Sequence, residues 1–494
     1  MASPYGVLEK HYGKLGRLAS SLEVLHWDMA VTMPKGGAGT RAEQLATLRV
    51  LHHELSTEPK LGHLLDEAQG EALEPWQAAN LSEMRRAHAH ATAVPAELVA
   101  ALSKAGSACE MKWREARAAN DFAGLLPYLD EVVSLTIEKA KVKGELLGCS
   151  PYEALLDEYE PGGRTEEIDA LFDDLAVFLP DFTEAVLERQ ARSETRVPEG
   201  PFPIEKQRAL GLKIMGTLGF DFDHGRLDVS HHPFCGGGAG DVRITTRYSE
   251  DDFVQSLMGV IHETGHALYE FGLPEAWRFQ PVGSARGMSL HESQSLLMEM
   301  QACRSRQFID YLAPIAREVF GREGLEWGAD NLYGLYTHVE RGLIRVNADE
   351  VTYPAHVILR YRLEKAILRG DLKVADLPGA WRQGMLELVG IAPEDDRDGC
   401  MQDIHWMDGS LGYFPTYTLG AMSAAQLFDA ALKEDTGILD GISGGDFGPL
   451  LAWLRTNVHG LASSLSTREL LERATGQPLD AEIFKAHLKR RYLG

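Results

Sequence analysis

Apolar residues recur at three- and four-residue spacing over most of the chain, a period that predicts a protein built mainly of α-helices. The pattern covers 7–27, 40–70, 72–91, 95–118 and 121–147, all rich in Ala, Leu and Glu. It continues over 165–193, 204–217, 309–320, 355–368, 379–389, 422–434, 446–463 and 467–492. No internal repeat is visible. Residues 196–203 and 441–448 read as loops, neither long enough for a flexible tether. Residues 1–494 are therefore expected to form a single domain, with room for two lobes around a groove.

One stretch departs from the helical period. His231-His-Pro-Phe-Cys-Gly-Gly-Gly-Ala-Gly240 leads into Asp241-Val-Arg-Ile-Thr-Thr-Arg-Tyr248, which alternates and is β-branched like a strand. The glycines between read as a turn, so 229–248 is expected to be a small hairpin or sheet. Its edge could pair with an extended peptide backbone. A purely structural hairpin is the alternative.

Composition adds limits. Hydrophobic residues make up 44% and charged residues 25%, as in ordinary globular proteins. The net charge of −24 repels phosphate backbones and anionic lipid, so neither nucleic acid nor a membrane is an expected partner. Five scattered cysteines without a C-x-x-C pair fit reduced thiols, and the start of the chain lacks a secretory apolar run. A soluble cytoplasmic protein is the expectation.

His262-Glu263-Thr264-Gly265-His266 matches H-E-x-x-H. On a helix, positions four apart share a face, so both imidazoles can reach one ion. Glu263 lies about 100° around and can take a proton from water that the ion activates. With 18 histidines in the chain, chance gives such a match in about one sequence of twenty, so context must decide. Ser249-Glu-Asp-Asp252 reads as a capping box, Phe253 to Leu268 supply an apolar surface, and Gly272 and Pro274 end the run. The motif thus lies deep in a helix of about 20 residues, where two histidines flanking a carboxylate call for a metal.

A third ligand is needed. Nothing like H-x-x-G-x-x-H follows His266, so a carboxylate on a later helix is expected. Glu292, in the helical stretch 289–299, is the first choice, with His291 and Gln294 as neighbours. Ser289-x-x-Glu292 is itself a capping box, which would occupy Glu292 locally. Glu299, seven residues on, is the reserve ligand or the acceptor behind a ligand histidine.

These residues and several others resemble the carboxypeptidase Taq family of metallocarboxypeptidases. The stretches that carry the resemblance are His232-Pro-Phe234, Asp241-Val-Arg-Ile-Thr245, the zinc motif, His291-Glu-Ser-Gln294, Ile344-Arg-Val-Asn-Ala-Asp-Glu350 running on to His356, and Gly399-Cys-Met-Gln-Asp-Ile-His-Trp406. Leu25-His-Trp-Asp28 and Met33-Pro34 match as well. The resemblance implies a large helical, neurolysin-like zincin fold with a deep groove and a small sheet beside the site. It implies a homodimer, zinc or cobalt as the metal, Glu292 as third ligand, and removal of single residues from peptides with a free C-terminus. Phe271 and Leu296-Leu-Met-Glu-Met300 depart from the family pattern, which bears on the groove wall and side-chain preference.

Other residues have candidate roles. A free α-carboxylate is best held by Arg, and Arg345 is the leading anchor, on a segment 337–350 that reads as helix. An ion pair with Asp349, four residues on, is the structural alternative. His405, with Tyr413 or Tyr417, could donate hydrogen bonds to the oxyanion formed when a peptide carbonyl is attacked. Either tyrosine could instead be a core residue. His232 and Arg243 either position substrate or hold the hairpin, Asp403 could orient His405, and His26 and Asp28 read as supporting groups. Gly441-Ile-Ser-Gly-Gly445 fits the serine-hydrolase elbow but lacks the strand before it. Two rival functions remain: a zinc oligopeptidase cutting short peptides internally, and a helical zinc-binding protein without catalysis.

Overall fold

The computed structural model describes residues 3–494. Four helices open the chain: α1 (Pro4–Val31), α2 (Ala38–Ser56), α3 (Lys60–Ala68) and α4 (Pro75–Ala93). They share a core of Tyr5, Leu8, Tyr12, Leu61, Leu65 and Met84. The Tyr12 hydroxyl donates to the Met84 carbonyl at 2.8 Å, satisfying the one polar atom that this core buries on that ring. The unit is tied to the rest of the chain by Asn80, which bonds Gln280 and the Val282 N–H, and by the Glu83–Arg286 ion pair.

Then come α5 (Ala96–Ala119), α6 (Phe122–Leu147), α7 (Pro151–Leu156), α8 (Thr165–Gln190) and α9 (Ile204–Leu218). Three short strands follow: β1 (Gly225–Val229), β2 (Cys235–Gly238) and β3 (Asp241–Thr246). β3 is central, parallel to β1 and antiparallel to β2. The expected hairpin is present, but only the last of the glycines, Gly240, lies in its turn. Gly236 to Gly238 are themselves paired, the turn is Ala239-Gly240, and a third strand joins from upstream. Glycine suits β2 because α1 crosses it closely: a Cβ on Gly238 would lie 2.3 Å from Ser20 Oγ. The inner face of the sheet, Leu227, Val242 and Ile244, packs with Val260 and Ala267 of the motif helix.

The remaining helices are α10 (Val254–Gly272), α11 (Gly287–Leu296), α12 (Arg306–Phe320), α13 (Ala329–Tyr336), α14 (Tyr353–Arg369), α15 (Leu377–Leu388), α16 (Pro415–Glu434), α17 (Ile438–Gly444), α18 (Gly448–Asn457), α19 (Thr467–Thr475) and α20 (Ala481–Tyr492). With α5 to α9 they enclose one large apolar core. The helical reading of the sequence holds, with local corrections. The stretch 40–70 breaks before Pro59, and 467–492 breaks at Gly476, which takes φ 84° as a helix stop. The loop expected at 441–448 shrinks to 445–447; Gly441-Ile-Ser-Gly is the end of α17, which excludes a strand-borne nucleophile there. Residues 337–350 hold only a 3₁₀ turn at Arg345–Asn347. No helix among the described residues is long and apolar enough to cross a membrane.

Candidate metal centre

The motif helix α10 starts later than its capping box suggested. Asp252 caps it, with Oδ1 accepting from the Val254 and Gln255 N–H groups at 2.8 and 3.2 Å. From Ser256 to Tyr269 nearly every residue is buried, so the helix runs through the core. His262 and His266 share a face, ring centroids 4.9 Å apart.

α11 lies between α10 and α16, and small residues let it come close on both sides. A Cβ on Gly265 would lie 2.6 Å from the Gln294 carbonyl oxygen, and one on Gly420 would lie 2.9 Å from Cβ of Glu292. Held there, Glu292 sets Oε2 3.6 Å from His266 Nε2 and 4.0 Å from His262 Nε2. The three donor atoms fall within 4.8 Å of one another. Two ligands each about 2.1 Å from one ion at a tetrahedral angle are about 3.4 Å apart, so the spacing fits one small divalent ion.

Hydrogen bonds behind the histidines set their tautomers to match. His262 Nδ1 donates to Glu299 Oε2 at 2.9 Å, leaving the Nε2 lone pair toward Glu292. His291 Nε2 donates to Glu270 at 2.9 Å, so its Nδ1 accepts from His266 Nδ1 at 2.7 Å, and His266 Nε2 is likewise free. Glu299, the reserve ligand, is thus the acceptor behind His262. It lies in a π-helical turn, Leu297–Ala302, that continues α11.

The capping alternative for Glu292 fails. Ser289 is inside α11, and the N-terminus of that helix is capped by a distant loop. The Met288 N–H donates to the Tyr159 carbonyl at 2.7 Å, and the Ser289 N–H to Glu160 Oε2 at 3.1 Å. Glu160 and Tyr159 are supporting residues that sequence reasoning missed, because no local pattern joins them to α11. Burial raises the pKa of Glu292 and pushes Glu263 up to about 7.

A second cluster adjoins the first. Arg345 is buried, with Nε and Nη2 on Asp403 Oδ1 at 3.1 and 2.8 Å, which leaves Nη1 outside that pair. Its guanidinium lies 4.9 Å from the Tyr417 ring and 5.4 Å from Phe414. The expected Asp349 partner is elsewhere: Asp349 accepts from Val351, Thr352 and Glu340. Asp403 bridges Arg345 and Arg360 and makes no hydrogen bond to His405. His405 Nε2 is 3.3 Å from the Tyr417 hydroxyl, and burial pushes its pKa down to about 4, keeping it neutral. The Tyr413 and Tyr417 rings are 5.2 Å apart. Burial raises the pKa of Tyr353, Tyr413 and Tyr417, and the three rings cluster, with Tyr353 6.1 Å from Tyr417. Tyr353 had no role assigned from sequence; its one signal was its place in the stretch running from Ile344 to His356.

The sheet residues stand apart. Arg243 pairs with Asp241 and lies 4.6 Å over Trp27, while His232 is exposed on the segment before β2. Asp28 bonds Thr32 and Arg41, a local structural role.

The profile of the family described as Carboxypeptidase Taq (M32) metallopeptidase matches residues 7–492. Thermostable carboxypeptidase 1 of Thermus thermophilus is 42% identical over 487 residues, which cover 96% of this chain and 95% of that one. The protein of the same name from Pyrococcus furiosus is 36% identical, over 98% and 97%. Among solved structures, Trypanosoma cruzi metallocarboxypeptidase 1 superposes with a TM-score of 0.97 at 42% identity, covering 99% of each chain. The M32 carboxypeptidase of Deinococcus radiodurans R1 gives 0.93 at 34%, covering 99% of this chain and 100% of its own. Likeness of this extent, in sequence and backbone alike, means that the chain belongs to the carboxypeptidase Taq (M32) family and is a metal-dependent carboxypeptidase.

Proposed function

We propose that His262, His266 and Glu292 hold the metal and that Arg345 makes the reaction specific for a free C-terminus. The ion, zinc or cobalt, supplies Lewis-acid activation of water and of the scissile carbonyl. Glu263 is the general base: it takes a proton from the attacking water and passes it to the leaving amine. Its raised pKa suits both halves of that exchange. His405 with Tyr413 or Tyr417 donates to the oxyanion, and the substrate carboxylate sits on Arg345. His232 and Arg243 serve through the sheet, where the Arg243 contacts with Asp241 and Trp27 favour holding the hairpin. Family membership supports a homodimer, which sedimentation velocity would test. The five free thiols support a reducing compartment such as the cytoplasm.

The observation that carries the reading is Arg345, buried against the Tyr417 ring with one amino group outside its ion pair with Asp403. The experiment compares a blocked dipeptide with a free C-terminus against its amide. The amide should be cleaved at least about 100-fold more slowly, and Arg345→Met should raise KM for the acid roughly 10- to 100-fold while Arg360 still satisfies Asp403. Equal cleavage of acid and amide by the unaltered enzyme would favour an internally cutting oligopeptidase instead.

A further inference from the structure

We propose that Glu364 is a positioning residue that sets the loop carrying His405 and Tyr413; this rests on the reading of His405 as an oxyanion donor with Tyr413, the one of the two tyrosines on that loop, beside it. Glu364 projects from α14 and is fully buried. Its two oxygens collect three donors. Oε1 accepts from Trp406 Nε1 at 2.8 Å, and Oε2 accepts from the Tyr152 hydroxyl at 2.7 Å and the Gly412 N–H at 3.1 Å. Trp406 directly follows His405, and Gly412 directly precedes Tyr413. One carboxylate therefore grips the loop beside both side chains.

The loop has little regular structure to fix it otherwise. No helix or strand lies between α15 and α16, a span of 26 residues. Its first part is tied down through Gln402 and Asp403 to Arg345 and Arg360. The part from Trp406 to Gly412 folds back on itself, with the Ser410 N–H bonding the His405 carbonyl at 2.7 Å. Gly412 takes φ 93°, and a Cβ there would lie 2.9 Å from the Leu156 nitrogen, so the loop presses directly on α7, the helix that supplies Tyr152. A fully buried carboxylate is costly unless all its acceptors are used. Here it joins α7, α14 and the loop at one point, and a displacement of even 1 Å at such a point costs catalysis heavily.

The test uses Glu364→Gln and Trp406→Phe in the metal-loaded enzyme, reading kcat, KM, bound metal and Tm. A glutamine turns an NH₂ toward donors, so at least one donor is opposed; Trp406→Phe removes one donor and keeps an aromatic, though smaller, ring against Trp381 and Phe414. The expected result is a kcat about 10- to 100-fold lower for Glu364→Gln and several-fold lower for Trp406→Phe, on the order expected for a misplaced oxyanion donor. KM and metal content should stay within about 2-fold, and combination with Tyr413→Phe should cost less than the product of the separate losses. Unchanged kcat with a lowered Tm, or full multiplication with Tyr413→Phe, would overturn the proposal. If Glu364→Gln does not fold, wild-type kcat in Trp406→Phe overturns it alone. If Tyr413→Phe and His405→Gln both keep wild-type kcat, the oxyanion reading itself has failed, and the positioning role goes with it.

Discussion

The imidazoles at the metal centre do not stand alone: each is aimed by a partner that fixes which nitrogen carries the proton. Glu299 does this for His262, and the His291–Glu270 pair does it for His266. Removing such a partner leaves the proposed ligand in place but free to rotate or change tautomer. Glu299→Gln should therefore weaken metal retention about 10- to 100-fold in chelator competition, and wild-type retention would contradict this account. Glu263 has a different expectation, following from its proposed role as base. Glu263→Gln should keep its metal and lose about three orders of magnitude in kcat, within the range general bases contribute. Near-normal turnover of blocked dipeptides would remove Glu263 from the mechanism.

At the scale of elements, the metal centre depends on how closely α11 approaches its neighbours. Gly265 and Gly420 are the contact points, one against the α11 backbone and one against Glu292 itself. Gly420→Ala should push Glu292 off its position, lowering metal affinity by roughly 10-fold or more and costing about 1–3 kcal/mol of stability by overpacking. Titration with metal and urea unfolding would read both, and unchanged values for both would show that the approach tolerates a methyl group. The capping box at Ser289 shows why sequence left Glu292 ambiguous. Spacing alone favours a ligand over a cap without excluding the cap. Glu160 removes the capping alternative: it caps α11 from 129 residues away and leaves Glu292 without that task.

The whole molecule sets the pH range in which this architecture stands. His356 and His459 are fully buried, and burial, followed by Arg360 and Arg455 respectively, pushes each from 6.5 down to about 3. The unfolded chain therefore binds protons that the native chain refuses. The stability contributed by the neutral rings is complete above about pH 6.5 and lost as pH falls toward 3, at about 1.4 kcal/mol per pH unit for each ring. Glu350 is held low against its burial by Arg491 and His487, and adds a loss below about pH 4.5. The urea midpoint should hold from pH 7.5 to about 6.5 and then fall down to pH 5; a flat midpoint between 6.5 and 5 would mean that these rings find partners on protonation.

Helical class, the H-E-x-x-H helix and the family stretches were legible because each depends on residues close together in the chain, where a period of 3.6 or a fixed spacing carries the information. Tertiary structure decided what local pattern could not hold. The glycines of β2 are a strand only because β3 pairs with them and α1 leaves no room for a side chain. Arg345 finds Asp403, 58 residues away, and not Asp349 on its own segment, because the loop before α16 folds against it. His262 and His266 were aligned by one helix, but Glu292, the hydrogen bonds that aim the rings, and the phenols clustered at Arg345 come from separate elements. Sequence alone named the chemistry; the packing of α10, α11 and α16 brought its parts within reach of one ion.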